Sequence, residues 1–317
     1  MRTSLSIFSS EIRVPTAAFF AIIILAAMEA FYLSTTIGFS GVPVFEPTVD
    51  DAVVLARQKA INGPVSGSDV IIVGDSSALR GLAPNVLEDG IDLSFYNLGT
   101  FVSFSLAGQL ELAALAIEAN DTVKTVVLSI LPVSLSLTEE QVREYNLLGR
   151  YLVSNRSYLN VFSLSIDDHI NWFTKKHRIN RMPSHMGGSF EGLYTELLKS
   201  DGYLPKQSVA IDLDRKFGAV DISEFSWKTL ESFMLMLSDS DVELVLTINP
   251  RPKNVVNSDY EQSVQNMLRM ITNRFPEIII DWDNPLLWEH RYFSDASHLN
   301  NIGAIRNSNN LRDRVFR

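Results

Sequence analysis

Five short apolar runs constrain this chain more than anything else in it: DVIIVG from Asp69, LSFYNLG from Leu93, VKTVVLSIL from Val123, DVELVLTI from Asp241 and PEIIID from Pro276. Their Val, Ile and Leu residues are mostly consecutive rather than alternating. That pattern suits parallel strands covered on both faces. Helical stretches separate some of them, SLAGQLELAALAIEA from Ser105 and the segment Tyr260 to Phe275. Strand–helix–strand order predicts a doubly wound α/β sheet. With 317 residues, 46% apolar and 20% charged, the chain has enough apolar material for a sizeable core, and global disorder is excluded.

The charge balance is acidic, since 27 Lys and Arg against 37 Asp and Glu give 27 − 37 = −10. A nucleic-acid partner would favour a basic face, so none is expected. The chain has no cysteine, which removes disulfides, thiolate metal sites and a cysteine nucleophile together. Its five histidines must carry any imidazole chemistry.

Near the amino terminus, VPTAAFFAIIILAAMEAFYL runs from Val14 to Leu33 with Glu29 as its one charge. About twenty helical residues span roughly 30 Å, enough to cross a bilayer core. Arg2 and Arg13 precede the run, whereas Glu46, Asp50 and Asp51 follow it before any basic residue. The positive-inside rule then places the amino terminus in the cytoplasm and the body in the periplasm or outside the cell. A cleaved signal peptide and a buried core helix are the competing readings. The expected organisation is a cytoplasmic tail over 1–13, a transmembrane anchor over 14–35, a juxtamembrane linker with a short helix over 36–68, and one α/β domain over 69–317. Within that domain, residues 138–226 are rich in Tyr, Asn, Arg, His and Ser and read as an inserted, mostly helical cap.

Three pieces carry the chemistry. Gly74-Asp75-Ser76-Ser77 follows the first strand and precedes a helical run, so Ser76 stands at the carboxyl end of a parallel strand, where open α/β sheets place ligands. Its own N–H, at a helix start, could face a developing oxyanion. A plain turn with a helix cap is the alternative. Asp295-Ala296-Ser297-His298 puts a carboxylate three residues before a histidine. Folded back, the carboxylate accepts from Nδ1 and leaves Nε2 to take a proton from a serine. Asn97-Leu98-Gly99 ends the second strand, and the Gly99 N–H is a candidate second oxyanion donor.

In this order and spacing the pieces resemble the SGNH (GDSL-type) hydrolase superfamily. The resemblance implies a flavodoxin-like three-layer α/β/α fold, a catalytic triad of Ser76, His298 and Asp295, oxyanion donors on Ser76 and Gly99, and neither metal nor cofactor. One block departs from the family. The third strand ends Leu128-Ser129-Ile130-Leu131-Pro132 and lacks the usual oxyanion asparagine. Ser134 and Asn249 are candidates for that contact. Membrane-anchored branches that move acyl groups on envelope polysaccharides also lack a standard third block. Similarity to them implies an acyl donor, a glycan acceptor and a membrane-bound acyl-transfer partner. The rival expectation is a catalytically degenerate domain that binds or assembles an envelope biosynthetic machine.

Other residues attract weaker readings. Arg80, four after Ser76, shares its helix face and could hold a carboxylate or phosphate, or pair with a nearby acid. His169, His177 and His185 recur every eight residues without a known ligand spacing. His290, in LLWEHRYF, reads as a packing residue. Tyr151, Tyr158, Trp172 and Phe173 read as a small cap core.

Overall fold

The computed structural model describes residues 18–28, 49–142, 190–205, 216–282 and 286–317. Five parallel strands form the central sheet: β1 (Val70–Gly74), β2 (Phe95–Asn97), β3 (Thr125–Ile130), β4 (Glu243–Ile248) and β6 (Ile279–Ile280). Their order is β2-β1-β3-β4-β6, all in parallel register. The expected α/β class with a parallel sheet is what the chain adopts. A two-stranded parallel pair, β5 (Arg251–Pro252) with β7 (Leu287–Trp288), lies beyond the carboxyl end of β4.

Successive side chains on a strand point to opposite faces, so each apolar run supplies two cores. Ile71, Val73, Val126, Leu128, Leu244 and Leu246 face one side. There they meet α1 (Val49–Ile61), α4 (Ser105–Ala119), α7 (Glu224–Leu237) and α8 (Tyr260–Arg274). Val70, Ile72, Val127 and Val245 face the other side, against α2 (Ser76–Gly81), α3 (Pro84–Leu87) and α9 (Asn301–Leu311). Helix α5 (Val133–Ser136) follows β3, and α6 (Phe190–Lys199) packs on α1. From β1 the chain crosses to β2 on one side and returns through α4 to β3 on the other. The switch point between β1 and β3 opens a crevice at the strands' carboxyl ends, where Ser76 begins α2.

Helix α1 falls where the sequence reads a short helix within the region 36–68. Its Val53, Val54, Ala56, Ala60 and Ile61 join the main core. It packs against α4 and α6.

Residues 18–28 are helical, with Phe20 and Ile22 exposed. No helix among the described residues is long and apolar enough to cross a membrane. The tail 1–13 and the remainder of 14–35 lie outside the described residues. So do 143–189 and 206–215 of the expected cap, with His169, His177, His185, Tyr151, Tyr158, Trp172 and Phe173. The described part of that insertion runs close along the sheet: Asn97 N–H donates to Asp201 O at 2.8 Å, and Leu204 N–H to Leu79 O at 3.0 Å.

Candidate active site

Gly74 ends β1 at φ +150°, and a Cβ there would lie 1.8 Å from the Ser129 carbonyl oxygen on β3. Only glycine permits strands this close at the turn. Asp75 then caps α2, accepting from Ser77 N–H at 2.9 Å and from the Ser77 hydroxyl at 2.5 Å. Its second oxygen accepts from Leu131 N–H at 2.9 Å and from the Ser134 hydroxyl at 2.5 Å. This fully buried carboxylate therefore ties the start of α2 to the end of β3. Ser76, the first helical residue, has no intrahelical acceptor for its N–H.

The Asp295–His298 segment is a tight loop closed by the antiparallel bridge Phe293↔Leu299. Ser294 N–H donates to His298 O at 2.9 Å, which brings the two ends of the loop together. Asp295 Oδ1 accepts from the N–H groups of Ser297 at 2.8 Å and His298 at 2.9 Å. The carboxylate is thereby aimed at the imidazole, with Oδ2 2.8 Å from His298 Nδ1. His298 Nε2 lies 2.7 Å from Ser76 Oγ. Ser76, His298 and Asp295 thus form one continuous hydrogen-bonded relay.

Arg251 supports that loop from β5. Its Nη1 donates to Ala296 O at 2.9 Å and to Ser297 Oγ at 2.8 Å, and its guanidinium stacks 3.8 Å from the centre of the Phe217 ring. The side chain is almost wholly buried. Sequence reasoning passes over it, because its targets lie 45 and 46 residues away. The only local signal is a cation directly after a strand-ending Asn-Pro.

Three candidate contacts take other roles. The Gly99 N–H donates to Asn97 Oδ1 at 2.8 Å and is engaged within its own turn. A Cβ on Gly99 would lie 2.4 Å from Leu79 N, so this glycine serves the close approach of the β2 loop to α2. Asn97 secures that approach, its Nδ2 donating to the carbonyls of Ala78 at 2.9 Å and Leu82 at 2.8 Å. Asn249, buried at the end of β4, directs Nδ2 to Ser77 Oγ at 2.8 Å and Ser129 Oγ at 2.7 Å. It braces α2 over the end of β3 and has no amide hydrogen left for substrate. Ser134, also buried, is engaged by Asp75. Of the expected oxyanion donors, the Ser76 N–H is the one at the nucleophile itself.

Arg80 lies one turn from Ser76, half-buried, and makes no hydrogen bond or ion pair with any described residue. Burial pulls its pKa down, while the charges of Asp295 and Tyr203 act in the opposite direction. Burial likewise pushes the Tyr203 phenol up to about 12, against the pull of Arg80. His290 is exposed, and the packing in its stretch comes from Trp288 instead. Among the described residues, no group of three or more His, Asp or Glu side chains is placed to hold a metal ion.

No family model matches the chain, and no curated protein matches it. Among solved structures, a protein described as "a putative platelet activating factor from Streptococcus pneumonia" aligns over 92% of this chain and 98% of its own, at 12% identity and a TM-score of 0.43.

Proposed function

We propose that this chain is a serine-dependent enzyme of SGNH type that moves or hydrolyses O-acyl groups on an exported cell-envelope polysaccharide or similar glycan. The observation that carries the reading is the relay Ser76–His298–Asp295, at 2.7 Å and 2.8 Å. A strand order of 2-1-3-4 with β6 in fifth place supports a flavodoxin-like arrangement, and Ser76 stands at its switch point.

In this mechanism His298 Nε2 takes the Ser76 hydroxyl proton as Oγ attacks the ester carbonyl carbon. Asp295 holds Nδ1 protonated and stabilises the imidazolium. The Ser76 N–H, at the positive end of α2, faces the negative charge developing on the carbonyl oxygen. As the tetrahedral intermediate collapses, His298 returns its proton to the leaving alcohol and the acyl group stays on Ser76. Water or a glycan hydroxyl, deprotonated by His298, then attacks the acyl-serine and regenerates the free hydroxyl. The anchor over 14–35 and an exported catalytic domain belong to this proposal and explain access to envelope glycans.

A degenerate binding subunit has no need for a Ser76–His298 hydrogen bond, and a distance within hydrogen-bond reach of nucleophile and base supports the enzymatic reading. The test incubates the full chain with 4-nitrophenyl acetate, with and without an O-deacylated polysaccharide, and follows acetyl by mass spectrometry. Acetyl on glycan hydroxyls marks transfer, and acetate alone marks hydrolysis. Both must vanish in Ser76→Ala. Glycan binding by a folded wild-type chain with no turnover of any ester would overturn the enzymatic reading.

A further inference from the structure

Helix α2 carries both the nucleophile and Arg80, which are four residues apart and therefore neighbours on one face. Ser76, Ser77, Ala78, Leu79 and Gly81 of this helix are buried, leaving Arg80 as its half-exposed side chain. Leu204 N–H bonds to Leu79 O, so the 203–204 segment runs beside Arg80, with Tyr203 buried there. Asp295 is the acid whose charge reaches Arg80, but its carboxylate already receives His298 Nδ1 and two backbone N–H groups. Tyr203 directs its hydroxyl toward Asn301 Oδ1 at 3.4 Å. A partly desolvated guanidinium beside a nucleophile thus has its planar fork of donors without an acceptor among the described residues. Such a fork matches a carboxylate or a phosphate in two parallel hydrogen bonds.

We propose that Arg80 is an anion subsite next to Ser76, so that the ester this chain acts on carries a carboxylate or phosphate close to the scissile bond. The inference rests on the Ser76–His298–Asp295 reading and adds the substrate's charge to it. In a chain of net charge −10, a cation at this position also offsets the general repulsion of an anionic substrate. The role differs from one exerted through Asp295. A binding role acts on charged substrates through KM, whereas an effect through Asp295 lowers kcat for every ester.

The experiment compares three esters on wild type, Arg80→Gln and Arg80→Lys. These are neutral 4-nitrophenyl acetate, mono-4-nitrophenyl glutarate with its carboxylate on the acyl side, and 3-acetoxy-4-nitrobenzoate with its carboxylate on the alcohol side. Competition by benzoate and by phenyl phosphate ranks the two kinds of anion. We expect wild type to favour one charged ester. In Arg80→Gln its kcat/KM should fall about 10- to 100-fold, mainly through KM, as loss of a hydrogen bond to a charged group implies. The neutral ester should fall by much less, and Lys should restore part of the preference. Equal losses on all three esters, or no preference in wild type, overturn the proposal. Labelling of Ser76 by a fluorophosphonate reports separately on the triad. Should wild-type Ser76 stay unlabelled, the catalytic reading fails, and calorimetric binding of phenyl phosphate decides the subsite. Binding lost in Arg80→Gln upholds it, and binding absent from wild type or retained in the variant overturns it.

Discussion

Ser76 Oγ and His298 Nε2 meet at 2.7 Å although 222 residues separate them in the chain. Each arrives on a turn held by its own carboxylate. Asp75 fixes the start of α2 against β3, and Asp295 closes the loop before α9. Two local constraints at the carboxyl edge of the sheet, the buried Asp75 turn and the partly exposed Asp295 loop, thus produce one long-range contact.

The first constraint makes Gly74 intolerant of any side chain. Gly74→Ala should lower stability by about 3 kcal/mol or prevent folding, because its Cβ would stand 1.8 Å from the Ser129 oxygen in the middle of the sheet. Urea unfolding of the variant checks this. A loss below about 1 kcal/mol would mean that β1 and β3 separate more readily than their register implies.

Arg251 acts on the other turn. Arg251→Met should leave the Ala296 carbonyl without this donor and lower stability by about 2–3 kcal/mol. Freeing the Asp295–His298 loop should also lower kcat about 10²-fold with little change in KM. Arg251→Lys, which keeps a cation, should recover part of kcat. Unfolding curves with ester kinetics on both variants test it, and a loss confined to KM would contradict a positioning role.

At the opposite edge of the sheet, Asp69 and Ser94 clamp the entries of β1 and β2. Ser94 N–H and its hydroxyl donate to Asp69 Oδ2 at 2.9 Å and 2.7 Å, and Asp69 N–H donates to Ser94 Oγ at 3.1 Å. The Ser94 backbone bond, followed by the hydroxyl bond, holds the Asp69 carboxyl below its ordinary range. A depressed folded-state pKa contributes stability that is complete above the unfolded value of about 3.9 and is lost as pH falls through the lower folded value. Asp69→Asn should therefore cost about 1–2 kcal/mol at pH 7. The gap to wild type in urea midpoint should narrow below about pH 4. A gap independent of pH would contradict the ionic origin of the clamp.

The strands were legible because their apolar runs fill both faces of one sheet. Ser76, Asp295 and His298 were legible because short-range rules place them: a nucleophile at a strand-to-helix turn, and a carboxylate within one loop of its imidazole. Asn249, Ser134 and Gly99 look the same in sequence as substrate-facing donors. For Asn249 and Ser134 the engaging partners are remote in sequence, Ser77 and Ser129 lying 172 and 120 residues from Asn249 and Asp75 59 from Ser134, whereas Gly99 is engaged by Asn97 two residues away. Helix α1 was legible as a helix, while its place in the main core depends on α4 and α6, which its own composition does not display.

The most direct measurement is intact-mass analysis of the full chain after treatment with a fluorophosphonate, with peptide mapping of the adduct. Wild type should gain one adduct, located on Ser76. Ser76→Ala should gain none, and His298→Ala should react at least 10²-fold more slowly. A folded wild-type chain that stays unmodified, or an adduct on another residue, would contradict an activated Ser76.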